Sequence, residues 1–226
     1  MEEINIGSPI PLGSSVTHDG VNFCLVATNA EFIELLIFEN DCSKVPKSIY
    51  TLNENFRTGS YWHIEVKGLT EGALYAYRVH QKNNNKNRDY SKKVIIDPCS
   101  RGIVGWENFE RKQFTNKDEN VEYSLKSVVC KKEKFNFNDF PRPNHNWDKT
   151  IIYELHVGAF TKNIESYDSS DRCSCFKKIL QKIPYLKELG ITTLELMPIF
   201  CFDPSDSPNG LENFWGYSPI NWFTPH

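Results

Sequence analysis

Ile151-Ile152-Tyr153-Glu154-Leu155-His156-Val157-Gly158-Ala159-Phe160 is the stretch whose reading decides the rest of the chain. It is apolar, rich in β-branched and aromatic residues, and bounded by segments of another kind. Before it, Pro141-Arg142-Pro143-Asn144-His145-Asn146-Trp147-Asp148 can continue neither a helix nor an inner strand, because proline lacks the N–H that both ladders need. After it the hydrophobic period changes from two residues to about 3.6. The stretch therefore reads as the first strand of a second domain that begins near Thr150. A near-continuous apolar strand suits a parallel sheet covered on both faces. Glu154 and His156 lie near its C-terminal end, where such a strand would meet a site. Taken singly, each reads as a satisfied polar group of an ordinary buried strand.

Downstream, a loop from Thr161 to Asp171 precedes Phe176, Ile179, Leu180, Ile183, Leu186 and Leu189, which recur at helical spacing. Gly190 stands where a glycine just past a helix ends it. Pro184 removes one helical N–H, so the spacing predicts a kink there, or a helix restarting with Pro184 in its first turn. Thr192-Thr193-Leu194-Glu195-Leu196-Met197, closed by Pro198, is a second strand. Strand, helix, strand is a βαβ unit, expected to be right-handed with parallel strands. About 75 residues follow Thr150, whereas a closed eight-fold β/α barrel needs about 250. One βαβ unit cannot cover both faces of its own sheet, so this second part is expected to be the opening of something larger.

Upstream, residues 1 to about 140 read as short strands between turns. Val21, Phe23 and Leu25 alternate with polar or small residues after the turn His18-Asp19-Gly20. Phe32-Ile33-Glu34-Leu35-Leu36-Ile37-Phe38 is apolar on both faces. Trp62, Ile64 and Val66 alternate with His63 and Glu65 ahead of a turn at Gly68. Leu74-Tyr75-Ala76-Tyr77-Arg78-Val79 leads to the polar tip Lys82-Asn83-Asn84-Asn85-Lys86-Asn87, and Val94-Ile95-Ile96 ends at Asp97-Pro98. Short, evenly spaced strands without a long helical pattern indicate an antiparallel, immunoglobulin-like β-sandwich. Residues Gln113 to Asn120 and Lys131 to Lys134 read as a mobile polar connection.

The totals bound the function classes. With 39% hydrophobic and 13% aromatic residues, 226 residues can bury a real core in one or two domains. A net charge of −3, from 26 basic and 29 acidic residues, supplies no electrostatic drive toward nucleic acid or a membrane surface. No apolar run approaches the roughly 20 residues of a membrane span, and acidic Glu2-Glu3 stand where a signal peptide is basic. Cys173-Ser174-Cys175 is the one close pair among seven cysteines, and its spacing is not a usual zinc or redox motif. Reduced thiols in a cytoplasmic protein, with no metal and no cofactor, is the expectation.

A series of motifs then resembles a known family. Gly7-Ser8-Pro9-Ile10-Pro11-Leu12-Gly13, Gly20-Val21-Asn22-Phe23, Tyr75-Ala76-Tyr77-Arg78-Val79 and Ile96-Asp97-Pro98 resemble the start of the isoamylase-type glycogen debranching enzymes. Ile152 to Thr161 is similar to the first barrel strand of the α-amylase superfamily. Ile183-Pro184-Tyr185-Leu186-Lys187-Glu188-Leu189-Gly190-Ile191 and Glu195-Leu196-Met197-Pro198 resemble its next helix and strand. Phe214-Trp215-Gly216-Tyr217-Ser218-Pro219-Ile220-Asn221-Trp222-Phe223 is similar to the family's tryptophan-glycine-tyrosine loop. The likeness runs along nearly the whole chain in the correct order.

That resemblance implies a sandwich of the starch-binding module 48 type over residues 1–140, then a glycoside hydrolase family 13 (β/α)8 barrel of which residues 141–226 would be the opening. It implies retaining hydrolysis of α-1,6 branch links in glycogen or starch-like glucans, with α-glucan as partner. Such chemistry uses a carboxylate nucleophile and a carboxylic acid about 5 Å apart. The family's catalytic residues lie on later strands and find no matching position here, so no catalytic residue is nominated. Glu154 and Glu195 match early-strand positions that are not catalytic. Tyr217 matches the tyrosine that stacks on the sugar beside the broken bond, and a substrate contact is its expected role. Trp215 is expected to pin the loop, and the same reading stands as the alternative for Tyr217. Trp62 and Trp106 are expected in core or interdomain packing rather than on a glucan platform. Cys99 departs from the tyrosine often found there, and the tip at 82–88 is shorter and more polar than usual.

Three readings follow: part of a debranching hydrolase, inactive as this chain; a glucan-binding or regulatory protein that keeps the module; or part of a glycogen branching enzyme or malto-oligosyl trehalose hydrolase. Ser218-Pro219-Ile220-Asn221-Trp222-Phe223 looks most like the debranching group.

Overall fold

The computed structural model describes residues 3–81, 91–116, 118–132, 135–140, 142–162, 174–208 and 210–226. The Lys/Asn tip, Cys173 and most of the Thr161–Asp171 loop lie outside the described residues. The chain divides into two compact units, Met1–Glu133 with Asn221–Pro225, and Lys134–Ile220 with His226.

The first unit is built from two five-stranded antiparallel sheets. One contains β1 (Ile4–Asn5), β2 (Gly13–Val16), β3 (Gly20–Val26), β6 (Arg57–Thr58) and β7 (Tyr61–Lys67), in the order β1-β7-β3-β2 with β6 also on β7. The other contains β4 (Ala30–Phe38), β5 (Ser48–Leu52), β8 (Leu74–Gln81), β9 (Ile103–Val104) and β10 (Lys126–Val128), in the order β5-β4-β8-β10-β9. Strand period two dictates what each face carries. Val21, Phe23 and Leu25 of β3 and Trp62, Ile64 and Val66 of β7 meet Ile33, Leu35 and Ile37 of β4 and Tyr75 and Tyr77 of β8 in one buried core. That interlock of two inner faces is a sandwich. The second sheet is apolar on its other face too, as the sequence indicates, with Leu36, Phe38, Ala76, Val94 and Val121 clustered there.

Two expectations change. The polar and small residues alternating along β3 are not at the surface: Asn22 and Cys24 are buried. The preceding segment covers them, with Asn22 exchanging hydrogen bonds with the backbone of Ser8 (2.7 and 3.1 Å) and Cys24 Sγ donating to the Pro9 carbonyl at 3.2 Å. Val94-Ile95-Ile96 is not a strand but a single bridge, Ile95 exchanging two 2.9 Å bonds with Tyr77. Side chains take the other backbone groups: Val94 bonds both ends of the Asn120 amide, and the Asp97 N–H donates to Ser127 Oγ at 2.9 Å.

Two lysines lie inside this unit, where an amine persists only with acceptors around it. Lys126 Nζ donates to the carbonyls of Val121 (3.0 Å) and Ser124 (2.9 Å), and burial holds its pKa below the ordinary value. Lys93 Nζ gathers the carbonyls of Gln113 and Asp118 and the side-chain oxygen of Asn116. The described part of the 113–120 connection is therefore anchored by Lys93 rather than loosely tethered.

In the second unit β11 (Ile152–Leu155) pairs in parallel with β12 (Thr193–Leu196), Ile152 opposite Thr193 and Leu155 opposite Leu196. Between them come a short helix α1 (Val157–Thr161) and α2 (Ser174–Glu188), and after them strand β13 (Phe200–Phe202). Most of strand β14 (Pro219–Pro225), from Asn221 to Pro225, belongs to the first unit. Helix α2 passes unbroken through Pro184, so there is no restart; the proline's missing N–H costs one helical bond. Gly190, with φ of 87°, stops the helix as expected. The Ile191 N–H reaches the Leu186 carbonyl and the Gly190 N–H the Lys187 carbonyl, both at 3.0 Å, which satisfies two of the last carbonyls. Ile179 and Leu186 are buried, yet Leu180 and Tyr185 on α2, Leu189 just past its end, and Ile152 and Leu196 on the strands remain exposed. No described helix is long and apolar enough to cross a membrane.

Candidate functional site

His156 follows β11 immediately, so the C-terminal end of the parallel strands fixes its position. Its Nδ1 accepts the Ala159 N–H at 3.0 Å, capping α1. A ring nitrogen that accepts carries no proton, so in the neutral imidazole the hydrogen sits on Nε2. Nε2 lies 3.0 Å from the Phe214 carbonyl and donates to it. The ring also stacks on Phe214, with centroids 4.7 Å apart and planes at 16°, and meets Trp215 edge-on at 5.9 Å. His156 thus ties the strand end to the loop that carries Trp215 and Tyr217.

The loop is closed by its own side chains. Asp203 Oδ1 accepts from the Ser205 N–H at 2.8 Å and its Oγ at 2.7 Å. The Asn213 N–H reaches the Pro204 carbonyl at 2.8 Å. Asn213 Nδ2 donates to the Tyr217 carbonyl at 2.7 Å, while its Oδ1 accepts the Gly216 N–H at 3.2 Å. Gly216 is required twice over: its φ is 78°, and a Cβ there would stand 3.0 Å from the Phe202 ring. Tyr217 ends this clamp with its side chain 56% exposed, and Trp215 is 52% exposed.

Beside the loop is a cleft of about 260 Å³, lined by His156, Phe176, Phe202, Glu212, Asn213 and Phe214 among others. Tyr217 is not part of its wall. Glu154 and Glu195 are register partners across β11 and β12, and both are exposed. The Cys201 thiol is pushed up to about 11 by burial, so it is neither a nucleophile nor a ready metal ligand near neutral pH. No group of three or more His, Cys, Asp or Glu able to hold a metal is found among the described residues.

Trp62 is fully buried, its Nε1 donating to the Ala27 carbonyl at 2.9 Å with the Arg57 guanidinium 5.0 Å over the ring. It is core and not a platform. Trp106 is half-buried against Phe109, with centroids 5.6 Å apart. Cys99 sits in the first unit against Gly13, and its backbone N–H donates to Asp97 Oδ1 at 2.7 Å.

The clamp gives a direct expectation. Asn213→Ala removes two hydrogen bonds of about 1 kcal/mol each. Together they correspond to about thirtyfold, so amide exchange over residues 214–218 is expected to speed up by roughly that factor while the melting temperature stays put. Unchanged exchange would show that Asn213 does not hold the loop.

These features have counterparts in known proteins. Residues 11–100 match the family carbohydrate-binding module 48 (isoamylase N-terminal domain). Over 97% of its length the chain is similar, at 30% identity, to the glycogen operon protein GlgX homolog of Haemophilus influenzae, of which it spans 33%. Among solved structures, the catalytic module of the multi-modular glycogen-degrading pneumococcal virulence factor SpuA aligns with a TM-score of 0.65 at 18% identity, over 95% of this chain and 32% of that one. A pullulanase from Paenibacillus barengoltzii in complex with maltohexaose and α-cyclodextrin aligns with a TM-score of 0.64 at 18% identity, over 98% and 33%. At such identities the structural likeness is one of fold.

Proposed function

We propose that this chain, whose residues 11–100 match carbohydrate-binding module 48 (isoamylase N-terminal domain), is part of a cytoplasmic glycoside hydrolase of the isoamylase type that debranches glycogen or starch-like α-glucans at α-1,6 links. Residues 1–140 are its module-48 sandwich, and residues 141–226 open its (β/α)8 barrel. The parallel pairing of β11 and β12 across an intervening helix supports the second assignment. So do the exposed Leu180, Leu189 and Leu196, an apolar surface that further barrel elements would cover. Alpha-glucan is the partner, and Tyr217 is the substrate contact at the mouth of the barrel.

The observation that carries the reading is the clamped loop at the C-terminal end of the strands, where barrel sites are built. His156 and Asn213 hold the loop backbone and leave the Tyr217 ring half in solvent. An aromatic face suits the apolar face of a pyranose, and its hydroxyl adds a hydrogen bond. In a whole debranching enzyme containing this sequence, Tyr217→Ala is expected to lower turnover on branched glucan about tenfold with the melting temperature unchanged. That factor corresponds to one stacked ring, about 1.4 kcal/mol. Kinetics equal to the parent enzyme would remove Tyr217 from the site.

A further inference from the structure

At the opposite end of the two parallel strands lies a groove of about 410 Å³. It opens where β11 begins at Ile152 and β12 at Thr193, and its lining includes Asn144, His145, Trp147, Thr150 and Thr192. Four strand residues at about 3.3 Å each separate it from the His156 end by roughly 13 Å, so it is distinct from the Tyr217 loop.

Three properties define what the groove can hold. Its lining contains no Asp, Glu, Lys or Arg, so a charged ligand would find no counter-ion there. Trp147 is 88% exposed, with nearly the whole indole face in water. The backbone beneath that ring is fixed: the Lys149 N–H donates to the Asn146 carbonyl at 3.0 Å, the Thr150 N–H to Trp147 at 3.1 Å, and Thr150 Oγ1 to Asn146 at 2.9 Å. A single exposed tryptophan would be unremarkable on its own. Beside it, however, the Asn144 amide and the His145 ring are exposed and make no hydrogen bond among the described residues. The threonines on the other wall are partly committed, Thr192 Oγ1 donating to the Ile151 carbonyl at 3.2 Å, whereas the Thr193 hydroxyl has no partner among the described residues. A flat aromatic ring, neutral donors and acceptors, and an open rim suit a neutral ligand with one apolar face and a fringe of hydroxyls.

We infer that this groove is a second α-glucan site, in which Trp147 stacks on a pyranose and Asn144, His145 and Thr193 hydrogen-bond its hydroxyls. The identity of the sugar rests on the glucan reading above; the site is separate from Tyr217. It would hold a chain of the polymer away from the point of cleavage, so that one glucan is engaged at both ends of the strands and its local concentration rises.

The test uses the 226-residue chain and maltohexaose, with affinity followed by titration calorimetry. Trp147→Ala is expected to weaken binding about tenfold and Trp147→Phe to recover part of the loss, both with parent melting temperatures because the side chain is exposed. Tyr217→Ala in the same chain reads the other site. Weakening by Trp147→Ala but not by Tyr217→Ala supports the groove and counts against the loop. Weakening by Tyr217→Ala alone overturns the groove and leaves the proposed function standing. A parent chain that binds no maltohexaose overturns the groove, while turnover of the whole enzyme still decides the role of Tyr217.

Discussion

The purified 226-residue chain is expected to release no reducing ends from glycogen, a deficit of at least about a millionfold against a whole hydrolase if the usual lower bound of enzymatic acceleration applies. Retaining cleavage needs a nucleophilic carboxylate and a protonated carboxyl held about 5 Å apart across one bond. The described residues of the second unit offer no such enclosure. Glu154 and Glu195 are opposed in register, but on exposed strand positions. Asp203 is committed to Ser205. Glu212 lines the cleft beside Phe214 without a second carboxylate in that lining. What remains is Tyr217, for which the proposed stacking on a sugar would be worth about 1 kcal/mol and would cleave nothing. A reducing-end assay at micromolar protein is the check, and release above the blank that scales with protein concentration would sink the expectation.

The largest effect on stability is expected from Trp62→Ala, with a loss of about 3–5 kcal/mol. The side chain is wholly enclosed between the two sheets, so truncation opens a cavity. It also strands the Ala27 carbonyl that accepts the indole N–H, and removes the ring under Arg57. That is a large part of the 5–15 kcal/mol typical of a domain. Urea denaturation should show the midpoint fall with the slope preserved. A loss under 1 kcal/mol would mean that the core closes over the gap, or that Trp62 is not the keystone its burial indicates.

Sequence pattern and structure agree where the physics is local. The alternation in Val21–Leu25 and Trp62–Val66 reports which face of those strands is inward, the apolar run Phe32–Phe38 reports a strand buried on both, and β3, β4, β7 and β8 lie where the pattern puts strands. Gly190 stops α2 because one backbone angle demands it. Agreement ends where partners are distant. Strand β10 contains the polar Lys126 and Ser127, which no local pattern singles out; both are buried because Val121, Ser124 and Asp97 satisfy them. Val94–Ile96 looks like a strand by composition, but Asn120 takes the Val94 bonds that a ladder would use. At the candidate site the motif points to Tyr217, while the parts that set its position are less legible. Asn213 works through a bond four residues away, which an Asn ahead of a Gly-containing turn can hint at. His156 works through a bond spanning 58 residues, which no local window contains.

The last strand has a consequence for synthesis. Asn221 Nδ2 donates to the carbonyls of Asp97 (3.0 Å) and Pro98 (3.1 Å), and Thr224 Oγ1 to that of Ser100 (2.9 Å). On a ribosome adding about 5–20 residues per second, the 124 residues between Asp97 and Asn221 take roughly 6–25 s to appear. Sheet pairing between β1 and β10 can be complete well before that. Those three carbonyls must stay hydrated through the interval, and the seam they form closes only when residues 221–225 have left the exit tunnel. The nascent sandwich therefore passes through a lifetime of seconds in which its strands are made but this edge is still open to water, to chaperones and to proteases.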